Sequence, residues 1–325
     1  MSACTLAHPV PPAGRGGGLP TDALLTLTPH TPRLNNSDDL VRRTREEAQR
    51  RGTGVHMHVS EIAFENRFVR EHRAAQGETQ AGVEAGAEAE VGKSQGVHPA
   101  DGGRGGTVRH LERLGCLYPG LLCAHSVWCD DGEVAALGKH GCAVAHCPAA
   151  GMKMLGFCPV EALLEAGCPV ALGTDGAPSN NRMNLLDEAY LASLLNKVRP
   201  AVYSDATAPT ALPAEAVLEM ATVHGAAAVL QAEDIGSLEA GKKADLVVID
   251  LASVSTLPCH DLVGQLVSSC RSENVESVMV DGNWLMFDHR TIFDEAFVLE
   301  RACFHAGRLV ERAGIALAPR FNVVV

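Results

Sequence analysis

Five short apolar segments, each followed by a helical pattern, constrain the fold of this chain more than any other feature. They cover residues 24–28, 55–61, 121–125, 142–146 and 170–172. Each is rich in Val, Leu, Ala or Cys and then breaks into residues that favour a loop. Strands that alternate with helices in this way are joined by helical crossovers, so they lie parallel to one another. The sequence therefore predicts an α/β fold built on a parallel sheet.

Polar side chains follow the apolar part of each predicted strand. They are His30, His58 with Glu61, His125, His146 and Asp175. The carboxyl ends of parallel strands lie at one edge of a sheet, where α/β proteins carry their chemistry. Taken singly, each histidine is equally well explained as a hydrogen-bonded core residue, and the aspartate as the cap of the next turn. Together they indicate a site for Zn²⁺ or another divalent transition metal, because neutral imidazoles and a carboxylate suit such ions.

The composition divides the chain into four parts. Residues 1–23 are rich in Pro and Gly without periodicity, which predicts a disordered leader. Residues 24–232 form the predicted barrel part, and within them residues 77–106 have almost no large apolar side chain, as in a surface insertion. The pattern then changes to turns and short strands. It predicts β-layer segments with an intervening helix over 233–292, and a helix and tail over 293–325.

Charge and composition exclude several kinds of partner. The 325 residues, 46% of them apolar, suffice for one α/β barrel with an appendage. The net charge of −12 argues against nucleic acid or an anionic membrane as a partner. We find no signal peptide and no apolar run of bilayer length, so we expect a soluble, cytoplasmic protein.

Several motifs, taken in order, resemble those of the amidohydrolase superfamily. They are Pro29-His30, His58-Val59-Ser60-Glu61, Ala124-His125, His146-Cys147-Pro148, Leu172-Gly173-Thr174-Asp175-Gly176 with Ser179-Asn180-Asn181, and Ile235-Gly236-Ser237-Leu238 with Gly241-Lys242-Lys243-Ala244-Asp245. In these motifs the chain is similar to methylthioadenosine/S-adenosylhomocysteine deaminases and to atrazine chlorohydrolase-like enzymes. The resemblance implies an incomplete (β/α)8 barrel of the TIM type that carries a metal hydrolase site, with remnants of a small β-sandwich.

The resemblance also implies a role for each motif residue. His58, His125 and Asp175 would bind a divalent metal, with zinc expected and iron as the alternative. Glu61 would carry protons between water and the leaving group, with His125 and Asp175 as its catalytic partners. The residues implied in substrate binding are His30, His146, Ser179 and Asn180. The implied reaction is hydrolytic loss of an amino group or a halide from a purine-like or other N-heterocycle, and a homodimer is also expected.

Two other hypotheses remain beside this one. The chain is a truncated, catalytically inactive relative if the missing parts are essential. The superfamily's first barrel strand supplies a His-x-His metal pair, and nothing before His30 offers one. Five strands are found where a closed barrel has eight, and an incomplete ligand set binds metal weakly. A structural zinc site at Cys142, His146 and Cys147 is the third hypothesis, disfavoured because it lacks a fourth ligand.

Overall fold

The computed structural model describes residues 25–26, 37–72, 106–203 and 205–314. The predicted parallel sheet is present, with five strands side by side in chain order. The strands are β1 (Leu25–Thr26), β2 (Val55–Val59), β3 (Leu121–His125), β4 (Ala143–His146) and β5 (Val170–Leu172). This confirms the predicted α/β fold. Eight strands close a (β/α)8 barrel, and over the described ranges the sheet has five and is open.

Helices connect consecutive strands and continue beyond the last one. They are α1 (Asp38–Arg51), α2 (Ala63–His72), α3 (Thr107–Arg113), α4 (Asp131–Lys139), α5 (Pro148–Ala150), a π-helical turn (Gly151–Leu155), α6 (Val160–Glu165), α7 (Ala177–Asn180), α8 (Leu185–Tyr203), α9 (Ala214–Ala221) and α10 (Val223–Ala228). Ser37 and Asp130 are of residue types that favour N-caps, and each caps a helix, since Ser37 accepts a hydrogen bond from Leu40 N–H and Asp130 from Glu133 N–H. Gly52 ends α1 in the left-handed conformation that glycine favours.

The two faces of the sheet differ in chemistry. Val55, Met57 and Val59 of β2 belong to the large apolar core that the sheet forms with its helices. Because side chains alternate along a strand, His56 and His58 lie on the opposite face. His56 and His58 therefore face away from the large apolar core.

Small side chains lie beside His58 across that opposite face. In the register of the sheet His58 pairs with Ala124, Ala124 with Ala145, and Ala145 with Ala171. Ala145 and Ala171 form a small apolar cluster with Ala228 of α10. Within this row, which crosses β2 to β5, His58 is the one large side chain.

A second, antiparallel sheet follows, as the change of pattern after residue 232 predicts. The sheet consists of β6 (Leu246–Ile249), β7 (Val275–Val280), β8 (Asn283–Phe287) and β9 (Arg290–Thr291). This part of the chain also contains α11 (Leu262–Ser268), a 3₁₀ turn (Ser272–Asn274) and α12 (Glu295–Ala313). The sequence pair Asp281-Gly282 is typical of a tight hairpin turn, and both residues have the positive φ that it requires, +49° and +75°. None of the described helices is long and apolar enough to cross a membrane.

Two sequence predictions differ from the structure. The amphipathic pattern over 213–230 predicts a single helix, but the chain bends at Thr222, which separates α9 from α10. Gly106, the last residue of the predicted insertion, is buried and donates its N–H to Glu133 at 2.6 Å, so it belongs to the packed part. Residues 1–23, the insertion up to residue 105 and the tail from 315 onward lie outside the described residues, and the other domain boundaries remain predictions.

Candidate active site

Left-handed residues other than glycine occur at the carboxyl ends of three strands of the sheet, β2, β3 and β5. The positive φ angles are +50° at Ser60, +70° at His125, +48° at Ser126 and +57° at Asp175. Each such residue is strained by about 1–3 kcal/mol and persists only where its surroundings hold it. Backbone hydrogen bonds hold this edge, from Ser126 N–H to the Val59 carbonyl and from Trp128 N–H to the Ser60 carbonyl. The strained residues therefore lie at strand ends where the sequence predicts functional side chains.

The structure brings His58 and His125 into contact. Their rings stack with centroids 5.1 Å apart and an interplanar angle of 27°. His125 pairs in register with Val59, whose side chain lies in the core beneath the helices, so plain alternation would send His125 there too. Its left-handed backbone accounts for the ring's place against His58 on the opposite face.

Glu61 lies beside the stacked rings of His58 and His125. Its Oε1 atom is 3.9 Å from Nε2 of His125, and its side chain keeps 15% of its surface exposed. Burial raises the pKa of the Glu61 carboxyl to about 7, with further contributions from the nearby carboxylates of Glu65 and Asp175. A carboxyl group that is partly open to solvent and has a pKa near neutral pH is suited to donating and accepting protons.

The imidazoles of His125 and His146 favour the neutral form. Burial, together with the neighbouring His58, His56 and His146, lowers the pKa of His125 to about 3. Burial also lowers the pKa of His146 to about 4. Among the described residues, Nε2 of His125 and Nε2 of His146 have no hydrogen-bond partner. Each ring therefore keeps a buried ring nitrogen available to a ligand.

Asp175 is buried in the loop after β5. It keeps 1% of its surface exposed, and its Oδ1 accepts the N–H of Gly176 at 2.6 Å. The β5 end is joined to that of β4 because Gly173 N–H donates to the carbonyl of His146 at 2.8 Å. Asp175 is also close enough to Glu61 to raise the pKa of its carboxyl group. The predicted metal ligand and the predicted proton carrier thus share one electrostatic environment.

Asn180 and Ser179 are buried in α7. The amide of Asn180 donates to the Thr174 carbonyl at 2.7 Å and to Oε1 of Glu188 at 2.6 Å. Its Oδ1 accepts the N–H of Arg182 at 3.1 Å. These bonds engage both ends of the Asn180 amide within the protein, which favours a role in shaping the loop that carries Asp175.

The donor atoms of the site are of the types that bind metal ions. Neutral imidazole nitrogens and a buried carboxylate are the usual ligands of zinc. Within the described ranges, however, no three His, Cys, Asp or Glu residues are arranged to hold a metal ion. This applies to the third hypothesis as well, where the thiol of Cys142 bonds to the Tyr118 carbonyl and that of Cys147 to the Ala145 carbonyl. The metal-ligand roles of His58, His125 and Asp175 therefore remain predictions.

Several buried polar residues around the site lie outside the sequence motifs that predict it. Glu65 accepts two backbone N–H groups at the end of β2, and Glu188 joins the loops after β4 and β5 through Ala149 N–H and Asn180. The spacing of Glu65, one helical turn after Glu61, was a usable signal, since it places both carboxyls at the start of α2. His30, predicted to face the substrate, lies outside the described residues.

Comparison with known proteins gives a consistent family. A model described as the amidohydrolase family matches residues 21–285. The 5'-deoxyadenosine deaminase of Methanosarcina barkeri is 37% identical over 286 residues, which cover 87% of this chain and 57% of that protein. The 5-methylthioadenosine/S-adenosylhomocysteine deaminase of Haloarcula marismortui is 42% identical over 209 residues, or 64% of this chain and 46% of that protein.

Solved structures show the same likeness. A zinc-bound adenosine deaminase from Xanthomonas campestris superposes with a TM-score of 0.73 at 28% identity, covering 88% of this chain and 57% of that one. The zinc complex of atrazine chlorohydrolase from Arthrobacter aurescens TC1 gives a TM-score of 0.66 at 25% identity, covering 85% and 52%. The chain spans about half the length of the relatives it matches. With the matching motifs, the parallel sheet and the histidine-lined edge in agreement, this chain belongs to the amidohydrolase family.

Proposed function

We propose that this chain carries the site of a metal-dependent hydrolase that removes an amino group from an adenosine-like N-heterocycle. The observation that carries the proposal is the stacked pair of His58 and His125 with Glu61 3.9 Å from the second ring. The family, the deaminase names of the relatives and the zinc in two similar structures support it. The reaction adds the oxygen of water to the ring carbon and breaks its bond to nitrogen, which leaves as ammonia.

We propose His58, His125 and Asp175 as the contributors to a divalent metal site. Zinc fits their neutral nitrogen and carboxylate donors, and Fe²⁺ is the alternative. A bound divalent ion lowers the pKa of water so that hydroxide is available near neutral pH. Because no three His, Cys, Asp or Glu residues within the described ranges are arranged to hold a metal ion, we expect weaker binding than in a site with a full ligand set.

Glu61 is the proposed proton carrier. Its raised pKa keeps a population of both protonation states near neutral pH, so the same carboxyl can accept a proton from water and donate one to the departing nitrogen. Asp175 is the proposed acceptor of the first proton of water. His125 lies 3.9 Å from Glu61 and is the proposed group that polarises the substrate.

The substrate contacts remain proposals of different strength. His146 supports a binding role because its Nε2 is buried without a hydrogen-bond partner in the described structure. His30 and Ser179 keep their predicted roles on the motifs alone. For Asn180 we propose a positioning role, since its amide is engaged by Thr174, Glu188 and Arg182. A small heterocycle as the substrate follows from the relatives, and a homodimer is a further proposal that light scattering would check.

Metal analysis combined with an ammonia assay tests the proposed function. The purified chain, loaded with zinc, is incubated with adenosine, 5'-deoxyadenosine or 5-methylthioadenosine. We expect bound metal and ammonia release, and Glu61→Gln should abolish release while metal stays bound. A folded chain that releases no ammonia and retains no metal would overturn the proposal in favour of an inactive relative.

A further inference from the structure

Glu65 is a buried carboxylate at the start of α2 that contributes to the raised pKa of Glu61 but has no step of its own in the proposed chemistry. Its side chain has no exposed surface. Oε2 accepts the N–H of Glu61 at 2.9 Å, and Oε1 accepts the N–H of Ser60 at 3.0 Å. One side chain therefore holds two consecutive backbone amides at the point where β2 turns into α2.

The turn that Glu65 holds is strained. Ser60 has a φ of +50°, a conformation that residues with a side chain rarely adopt. The backbone of this residue determines the direction in which Glu61 leaves the strand. A turn of this kind keeps one conformation only when hydrogen bonds outweigh the strain, and Glu65 supplies two of them.

A second element fixes the carboxylate of Glu65. The hydroxyl of Thr107, the first residue of α3, donates to Oε1 of Glu65 at 2.6 Å. Asn66 extends the contact, because its Oδ1 accepts the Ser60 hydroxyl at 3.2 Å and the Thr107 N–H at 3.1 Å. The first turn of α3 thus acts as a clamp on the turn that carries Glu61.

We propose that Glu65, held by Thr107, is a positioning residue that fixes the backbone of Ser60 and Glu61 and so keeps the Glu61 carboxyl beside His125. This inference deepens the proposed function and rests on it for the role of Glu61. Misplacing a reacting group by about 1 Å is enough to lower a rate about 100-fold. The substrate makes no contact with Glu65 in this proposal, so its affinity should change little.

Glu65→Gln tests the proposal with Glu71→Gln as the matched control. The glutamine keeps the size of Glu65, but its NH₂ group must face one of the two N–H donors. Glu71 lies on the same helix, is exposed and loses the same charge. With 5'-deoxyadenosine we expect kcat to fall by about tenfold or more in Glu65→Gln with KM within about threefold, and both to stay unchanged in Glu71→Gln.

The hydroxyl of Thr107 offers a milder variant that keeps the test decisive if Glu65→Gln does not fold. Thr107→Val has the same shape but loses the bond to Glu65, whereas Thr107→Ser retains it. We expect Val to lower kcat and Ser to restore it. Equal kcat in the Val and Ser variants, or a change in KM alone, would overturn the proposal.

Amide hydrogen exchange separates failure of this inference from failure of the proposed function. Exchange at residues 60–61 should become at least about tenfold faster in Glu65→Gln than in Glu71→Gln, whether or not the chain releases ammonia. If the wild type releases no ammonia, the proposed function is refuted but the positioning role of Glu65 is not. Unchanged exchange at these two amides refutes the positioning role.

Discussion

The rings of His58 and His125 stack 5.1 Å apart, although strand alternation directs the two side chains to opposite faces of the sheet. The left-handed φ of +70° at His125 ends the regular strand and accounts for this contact. The geometry joins two strand ends at one point. It is the structural basis for treating β2 and β3 as contributors to one site.

Replacement of His58 by Ala should reduce metal binding and abolish turnover. The variant removes one of the three proposed donors, so we expect the metal affinity to fall by more than about 100-fold. Elemental analysis after dialysis and the ammonia assay measure the two effects. His140→Ala is the control, since His140 follows α4 on the way into β4 and pairs with Glu112. Metal retention equal to that of the control would remove His58 from the proposed ligands.

The sequence was sufficient to locate the strand ends but not the directions of their side chains. Apolar runs that break into loops predict β3 and β5 at their observed ends, and the motifs single out His125 and Asp175. Backbone angles at those ends depend on the loops packed around them, as with the bond from Ser126 N–H to the Val59 carbonyl. Contacts of that kind join residues far apart in the chain, and one sequence does not reveal them.

Asn180→Asp should destabilise the fold more than it alters substrate affinity. A carboxylate at this position loses the donor to the Thr174 carbonyl and faces the buried carboxylate of Glu188. We expect the free energy of unfolding to fall by about 2–4 kcal/mol. Chemical denaturation measures it, and Asn181→Asp at the exposed neighbouring position is the control. A raised KM with unchanged stability would instead support the substrate contact that the sequence predicts.

The bend at Thr222 shows how tertiary packing overrides a local pattern. The amphipathic pattern over 213–230 contains no proline after its first residue and favours one helix. In the structure the backbone of Gly236 approaches this corner so closely that a Cβ there would lie 2.7 Å from Cβ of Ala226. The bend makes room for a turn that follows later in the chain. Nothing within the helical segment itself encodes that neighbour.

Glu133→Gln should flatten the pH dependence of stability between about pH 4.5 and 7. Burial raises the pKa of Glu133 to about 7, and the charge of Asp130 adds to the shift. The folded state then holds a proton that the unfolded state has lost in this range, so the free energy of unfolding falls as pH rises. One such group gives a slope of at most about 1.4 kcal/mol per pH unit.

Urea denaturation of wild type and variant at pH 5 and pH 7 measures this slope. Gln mimics the protonated acid, so Glu133→Gln should lose less stability than wild type between the two pH values. Glu165→Gln at an exposed position of α6 is the control and should keep the wild-type slope. A slope in Glu133→Gln as steep as that of the control would contradict the assignment.

Gly106→Ala should destabilise the turn that carries Glu61, because the residue lies against Asn66. A Cβ at position 106 would lie 2.3 Å from Cγ of Asn66, so the amide must move and release its bonds to Ser60 and Thr107. We expect a loss of about 2–4 kcal/mol in the free energy of unfolding, together with lower kcat. Gly307→Ala is the matched control, since a Cβ there meets nothing within 4 Å in the described structure and alanine favours the helix. A loss no larger than that of the control would show that Asn66 is free to move without consequence.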